Sequence, residues 1–379
     1  MRVAVNARFL LAGRLEGIGR FSHETLSRLV KAKPDWEFIF IFDRPYDKQF
    51  IYGPNVIPVV VSPQARHPIL FWWWFEVALP RVFKKYKADI FFSPDGYLSL
   101  KSNIPQIPVF HDLAFEHYPE GVSKVNLWHY KYFFPRYAKK AANILAVSQA
   151  TAIDIQNLYH IKSDKIKLIN NAASDIFKPL DALQISETKQ KYTNGNPYFL
   201  YVGAIHPRKN LANLLLAFEY YHEQNPNSVF KLVIAGRKAW KNKLIDELYH
   251  TLACKRHIIF TGRLDDIELA KVTGSATALC YMSLFEGFGI PIIEAMQCGV
   301  PVITSNISSM PEVAGGAALL ANPLSPTEIY RCMQKLSSNV VGEGAKPQTQ
   351  EFIQKGFENA KRYTWNGSVE GIIEVLSNG

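Results

Sequence analysis

Residues 175–197, "DIFKPLDALQISETKQKYTNGNP", form a polar break, with Pro179 near its start and an Asn-Gly-Asn-Pro turn at its end, in a chain of 379 residues. The same pattern runs on both sides of it. Before the break come short apolar runs rich in Val, Ile and Phe: "RVAVNA", "EFIFIF", "VIPVVV", "ADIFFS", "IPVFHD", "NILAVS" and "KIKLIN". After it the pattern restarts with "YFLYVGA", "FKLVIAG", "HIIFTG", "ATALCYM" and "VPVITS". Longer periodic segments separate the runs, and that alternation predicts parallel strands joined by helices. Domains usually hold roughly 100 to 200 residues, so two are expected here. The fold class is therefore α/β, with two Rossmann-like doubly wound domains joined near residues 173–196.

Composition narrows the function. With 48% hydrophobic and 13% aromatic residues the chain can bury a large core, and no charged or Pro/Ser-rich block argues for disorder. The start "MRVAVNARFLLAGRL" has no long apolar core with a cleavage site, and "ILFWWWF" is far too short to span a bilayer. A cytoplasmic chain without transmembrane helices is expected. Cys254, Cys280, Cys298 and Cys332 show no Cys-x-x-Cys spacing, which points to reduced, mostly buried thiols and away from zinc. Residues 1–180 hold 24 basic against 15 acidic residues, or +9, whereas residues 181–379 hold 19 against 18, or +1. The first half thus suits an anionic partner. Nucleic acid is not expected, because no helix-turn-helix, zinc-finger or RNP-like signature accompanies the charge; anionic lipid or a phosphate-bearing acceptor fits.

In doubly wound sheets ligands sit beyond the carboxyl ends of the strands, so the residues just after each strand carry the candidate chemistry. In "EGFGIPIIEAMQCGVPVITS" (286–305) Pro291 suits an early helix position and Gly299 a C-terminal cap, which predicts a helix over 290–298 with Glu286 on the loop before it and Glu294 about one turn inside. A fully helical stretch would separate the two carboxylates by ~12 Å, beyond the roughly 5 to 9.5 Å of a glycosidase pair. They suit separate parts of one long ligand, with the Gly-Phe-Gly N–H groups free for hydroxyl or phosphate oxygens. Read alone, the stretch is equally a glycine-rich turn with two solvated glutamates.

In "VGAIHPRKNLANLLLAF" (202–218) Arg208 and Lys209 stand where a helix begins, a place the helix dipole disfavours for cations unless an anion joins them. A diphosphate is such an anion; a solvated basic turn is the commoner reading of an isolated pair. Gly17 and Gly19 in "LEGIGRF" precede a helix and permit close backbone approach to a ligand, although a simple turn has the same signature. His111 and Asp112 end the strand "IPVFHD". There is no nucleophile elbow for Ser or Cys chemistry, and no Asp-x-Asp triplet to hold a divalent metal on phosphates.

Taken together, "HDLAFEHYPE" (111–120), "VGAIHPRKNLANLLLAF", "FTGRLDDIELA" (260–270) and "EGFGIPIIEAMQCGVPVITSNISSMPEVAGGAAL" (286–319) resemble glycosyltransferase family 4, in particular its mannosyltransferase B-like branch. The resemblance spans most of the chain, and its most specific elements are the Glu-x7-Glu of Glu286 and Glu294 and the Pro-Arg-Lys-Asn turn at 207–210. It implies the glycosyltransferase B fold, two Rossmann-like domains facing across a cleft: an acceptor domain over 1–173, rejoined by a terminal helix over 364–379, and a nucleotide-sugar domain over 174–363. It further implies that Arg208 and Lys209 hold the donor diphosphate, Glu294 the ribose, and Glu286, Gly287, Phe288 and Gly289 the transferred sugar. Arg263 and Leu264 would lie beside the base, His111 beside the sugar, and Gly17 and Gly19 near the diphosphate.

The family moves a sugar with retention of configuration, by a same-face displacement in which the departing phosphate accepts the acceptor's proton. The implied donor is a nucleoside diphosphate sugar, GDP or UDP being open with GDP-mannose preferred, and no cofactor or metal is expected. The acceptor would be a saccharide or a lipid-linked saccharide in surface polysaccharide synthesis. Two departures stand out: Met282 precedes Ser283 where members often carry Pro-Ser, and Ala204 follows the glycine where many carry Arg, which leaves more of the phosphate role to Arg208 and Lys209. The alternatives are a sugar-nucleotide epimerase on a similar fold, or an inactive protein that binds membrane surfaces. Peripheral contact with the inner face of the membrane is expected of "ILFWWWFEVALPRVFKKYK" (69–87), where Trp72, Trp73, Trp74 and Phe75 precede Arg81, Lys84, Lys85 and Lys87.

Overall fold

Strand positions follow from short apolar runs, those of the inner strands too apolar to face water on either side, and a computed structural model of the chain, describing residues 1–13, 15, 17–65, 67–237, 243–338 and 347–378, places them in two parallel sheets. The chain divides into two compact units, one formed by Met1–Asn171 with Thr364–Gly379 and the other by Ala172–Tyr363.

The first unit's sheet contains β1 (Arg2–Asn6), β2 (Glu37–Phe42), β3 (Val56–Val60), β4 (Ile90–Ser93), β5 (Gln106–Phe110), β6 (Ile144–Ala146) and β7 (Ile166–Leu168), in the order β3-β2-β1-β4-β5-β6-β7. Its helices are α1 (Ile18–Ala32), α2 (Pro68–Trp73), α3 (Leu79–Tyr86), α4 (Ala114–His117), α5 (Lys124–Lys140) and α6 (Gln149–Tyr159). Ser123 and Ser148 start α5 and α6 by accepting from Asn126 N–H and Thr151 N–H, the usual service of serine at an N-cap. The order reverses between β1 and β4, the switch point at which this topology opens a crevice.

The second unit's sheet contains β8 (Tyr198–Val202), β9 (Lys231–Ala235), β10 (Ile258–Gly262), β11 (Ala278–Tyr281), β12 (Val302–Ser305) and β13 (Leu319–Ala321), in the order β10-β9-β8-β11-β12-β13. Here the switch point lies between β8 and β11. The helices are α7 (Ala182–Thr193), α8 (Leu211–Gln224), α9 (Lys243–Thr251), α10 (Asp266–Gly274), α11 (Ile290–Gln297), α12 (Met310–Ala314), α13 (Pro326–Ser337) and α14 (Pro347–Ala360). The chain then returns to the first unit as α15 (Trp365–Asn378), which packs on α1 through Trp365 against Phe21 at 6.0 Å and pairs Glu374 with Lys167 at 2.7 Å.

The aromatic run at 69–75 corrects an expectation. Between α2 and α3 the chain makes one π-helical turn, Trp74–Ala78, which rotates Trp74 and Phe75 fully into the core. Glu76 on the same turn is buried and accepts from Leu100 N–H at 3.0 Å and Lys101 N–H at 2.9 Å, so it anchors the loop beyond β4. Of this stretch only its edge is open: Ile69 and Trp72 are exposed. Trp74 and Phe75 are therefore core residues and cannot touch a membrane.

Candidate active site

The residues that follow β8 and β11, the two strands beside the second unit's switch point, converge. After β8, His206 starts a short 3-10 turn over Pro207–Lys209, its Nδ1 accepting from Arg208 N–H at 3.2 Å. Asn210 adopts a left-handed conformation (φ 56°) and begins α8. Its side-chain amide donates to the carbonyls of Met282 at 3.0 Å and Pro323 at 2.7 Å, while Leu284 N–H donates to the Arg208 carbonyl at 2.8 Å. The basic turn is thereby tied to the loop after β11, although more than seventy residues separate them in sequence.

On that loop Glu286 is 8% exposed. The Lys209 ammonium stands 2.6 Å from its Oε1, an ion pair whose alignment falls short of a hydrogen bond, and Arg208 donates to its Oε2 at 3.2 Å. Lys209 also donates to the Tyr281 hydroxyl at 3.0 Å, and Arg208 to the Phe285 carbonyl at 2.5 Å. Burial works against both charges of the pair. The attraction between them wins: the neighbouring Lys209 and Arg208 hold the Glu286 carboxyl below its usual range, and Glu286 holds Lys209 above the usual lysine range. Burial, then the Glu286 charge, pushes the Tyr281 phenol up to about 12, so it remains a neutral partner. The cluster carries two positive charges and one negative.

The loop that holds Glu286 is pinned from β12 and the segment behind it. Thr304 donates to the Tyr281 carbonyl at 2.8 Å, Ser305 to that of Ser283 at 2.6 Å, and Ser308 and Ser309 to that of Glu286, each at 2.9 Å. Ser309 also donates to the Phe288 carbonyl at 2.8 Å. Gly289 turns the chain into α11 at φ 105°, where a side chain would be strained. Gly287 is buried beside it, and the Phe288 ring packs edge-on against Tyr363 at 5.4 Å. The Phe288 side chain is thus occupied by packing within the second unit. Glu294 lies half-buried within α11. Exposed Arg263 and half-buried Leu264 follow the edge strand β10, two strands away from β8.

In the first unit, His111 follows β5 with its Nε2 2.8 Å from the Pro94 carbonyl; an acceptor there assigns the proton to Nε2 and leaves Nδ1 as the ring's accepting atom. Burial lowers its pKa despite the Pro94 bond and the carboxylates of Asp112 and Asp95, so the ring is neutral at pH 7. Asp112 is spent locally, accepting from Ala114 N–H at 3.0 Å. Gly17 caps α1, and a side chain at Gly19 would meet the Phe9 carbonyl oxygen at 2.8 Å, so that glycine serves the close passage of two chain segments. At the switch point itself stands an unanticipated cluster. Asp95 accepts from Arg8 at 2.7 Å and from Asn6 at 2.9 Å, and the Arg8 guanidinium is ringed by Phe9, Phe71, Trp74, Phe75 and Tyr97 at 5.0 to 5.6 Å. The "NAR" at 6–8, running from the last residue of β1 to just beyond it, is its trace in the sequence; Tyr281, Ser308 and Ser309 had only their nearness to strand ends as a signal.

Comparison with known proteins gives these clusters a context. Residues 15–174 match the family described as Glycosyltransferase Family 4, and residues 184–358 the one described as Glycosyl transferases group 1. The chain is 28% identical over 374 residues to the O-antigen chain mannosyltransferase B of Escherichia coli, covering 95% of this chain and 96% of that protein. It is 30% identical over 272 residues to the O-antigen chain mannosyltransferase RfbU of Salmonella typhimurium, covering 71% of each. Among solved structures, Anabaena Alr3699/HepE in complex with UDP matches with a TM-score of 0.76 at 16% identity over the full length of both chains. WaaG, a glycosyltransferase involved in lipopolysaccharide biosynthesis, matches with a TM-score of 0.76 at 14% identity, again over both full lengths.

Proposed function

The chain belongs to the glycosyltransferases of family 4 and group 1, and from that premise we propose that it transfers mannose from GDP-mannose, with retention, to a saccharide or lipid-linked saccharide acceptor. Its place in polysaccharide synthesis follows from its likeness to two O-antigen chain mannosyltransferases. The same likeness supports mannose as the sugar moved, and GDP as its carrier is part of the proposal. One observation carries the chemical reading: Lys209, Arg208 and Glu286 meet at the switch point between β8 and β11, where an elongated anionic ligand belongs.

In this reading the donor diphosphate binds Lys209 and Arg208, and the N–H groups at the starts of α8 and α11 add their partial positive charge. Glu286 is the counter-ion of the two cations before the donor arrives. It keeps both side chains in place at a net charge of only +1, and takes a sugar hydroxyl when the diphosphate claims the cations. The bond from the sugar C1 to the diphosphate oxygen then breaks. The acceptor oxygen joins C1 on the same face, and its proton passes to the departing phosphate oxygen. The protein's contribution is position and electrostatic stabilisation of the leaving group. Neutral His111 offers Nδ1 as an acceptor to a substrate hydroxyl, and Glu294 holds the ribose.

Two fixed cations already oppose the diphosphate charge, so transfer proceeds without a divalent ion. Rates measured after EDTA treatment and desalting should match those with added magnesium or manganese. Complete loss, restored by either ion, would contradict the assignment of the leaving-group charge to Lys209 and Arg208.

A further inference from the structure

The first unit's positive surplus has a focus that its sequence disguises. Helix α5 carries Lys124, Lys131, Arg136, Lys139 and Lys140, all exposed, and has no Asp or Glu along its length. Its inner side is committed to the core through His129, Phe133, Phe134, Tyr137 and Ala138. Among the outer cations stand three large apolar side chains, Val125 at 57% exposure, Trp128 at 62% and Tyr132 at 43%, spaced three and four residues apart and hence on one face. Trp128 and Tyr132 stack at 5.6 Å, and the Arg136 guanidinium lies 3.7 Å from the centre of the Tyr132 ring. Helix α2 packs against α5 and adds the exposed Ile69 and Trp72, with the Lys101 ammonium 5.0 Å above the Trp72 ring.

A single exposed apolar residue needs no explanation. Five on two packed helices, interleaved with cations, form a surface with both properties of an interfacial anchor: rings that lodge at headgroup depth and charges that attract anionic lipid. Helix α3 lacks the first property. Lys84, Lys85 and Lys87 are exposed around it, but its apolar residues Leu79, Val82 and Phe83 are buried. Acidic opposition to the α5 face is slight, with Glu116 of α4 standing 3.7 Å from Lys131. No helix among the described residues is long and apolar enough to cross a membrane.

We propose that the outer face of α5, with the exposed edge of α2, rests on the anionic headgroups of a lipid membrane. This gives the enzyme access to a lipid-linked acceptor, and to that extent it rests on the transferase reading; binding to the lipid surface does not.

The test is co-sedimentation of the full chain with vesicles of phosphatidylglycerol and phosphatidylcholine, against phosphatidylcholine alone, at low and high salt. The wild type should pellet with the anionic vesicles at low salt and be released at high salt, as screening requires. Trp128→Ala with Tyr132→Ala should lower partitioning at least tenfold. Lys131→Gln, Arg136→Gln, Lys139→Gln and Lys140→Gln together should lower it on the order of a hundredfold or more. Lys84→Gln, Lys85→Gln and Lys87→Gln together should have far less effect. A wild type that stays in solution, α5 variants that pellet like it, or binding lost only in the α3 variant would overturn the proposal. So would binding of soluble oligosaccharide at Trp128 without vesicle binding, which would make the stacked rings a glycan platform. Transfer to a soluble acceptor, measured on the same preparations, separates the two readings: it can fail while vesicle binding holds, and the reverse.

Discussion

Replacing Lys209 with alanine should weaken nucleoside diphosphate binding by about ten- to a hundredfold and lower the transfer rate at least as much. A charge-assisted hydrogen bond of this kind contributes roughly 1.5 to 3 kcal/mol, which sets the size of the affinity loss. The ion pair makes the variant instructive in a second way. Glu286 is buried and loses the closer of its two cations, so Lys209→Ala should also destabilise the second unit. Adding Glu286→Gln removes the stranded charge and should recover stability without recovering transfer. Calorimetry with GDP, initial rates and thermal melts of the three forms separate the effects. Unchanged affinity and turnover in Lys209→Ala would refute the phosphate assignment. Arg208→Ala should act in the same direction, with part of its loss coming from the bond to the Phe285 carbonyl that orders the loop.

Glu286→Gln alone should give the opposite signs for binding and turnover. Without the carboxylate the cluster's charge rises from +1 to +2, so affinity for bare GDP should hold or increase. Turnover should fall by about a hundredfold or more, because the two cations lose the group that aligns them and the sugar loses an acceptor; misplacement of a bound reactant by an ångström costs about that much. Glu294→Gln should do the reverse, weakening GDP about tenfold or more while leaving turnover at saturating donor close to normal. If both variants bind GDP equally poorly, the two glutamates do not divide sugar from ribose.

The inner strands were legible because they are apolar on both faces: "EFIFIF" and "YFLYV" can be little else in a chain that alternates them with helical segments. Strand β13 was not anticipated, since three residues, Leu319–Ala321, carry no periodicity. The helix after Gly289 was legible from Pro291 and Gly299, and spans Ile290–Gln297. The pairing of Glu286 with Arg208 and Lys209 was not. Spacing along the chain describes neighbours on one element, whereas these residues meet because β8 and β11 are adjacent in the sheet. Trp74 and Phe75 misled for a related reason. Clustered aromatics and nearby lysines look interfacial in a linear reading, but the π-helical turn at Trp74–Ala78 rotates Trp74 and Phe75 inward. The open aromatic face joins Trp72 of α2 to α5, where Trp128 and Tyr132 are diluted among other aromatic residues that are buried.

The central claim, sugar transfer from a nucleoside diphosphate donor with retention, is tested most directly by following GDP-mannose and a mannose-terminated oligosaccharide with the enzyme by proton NMR. The account predicts that each GDP released is matched by one new α-linked mannosyl residue on the acceptor, and that no product forms from donor alone. A β-linked product would contradict retention. Conversion of the donor into a different sugar nucleotide without an acceptor would show an epimerase, and an unchanged mixture across GDP- and UDP-sugars would leave the cluster at Lys209 without the role given to it.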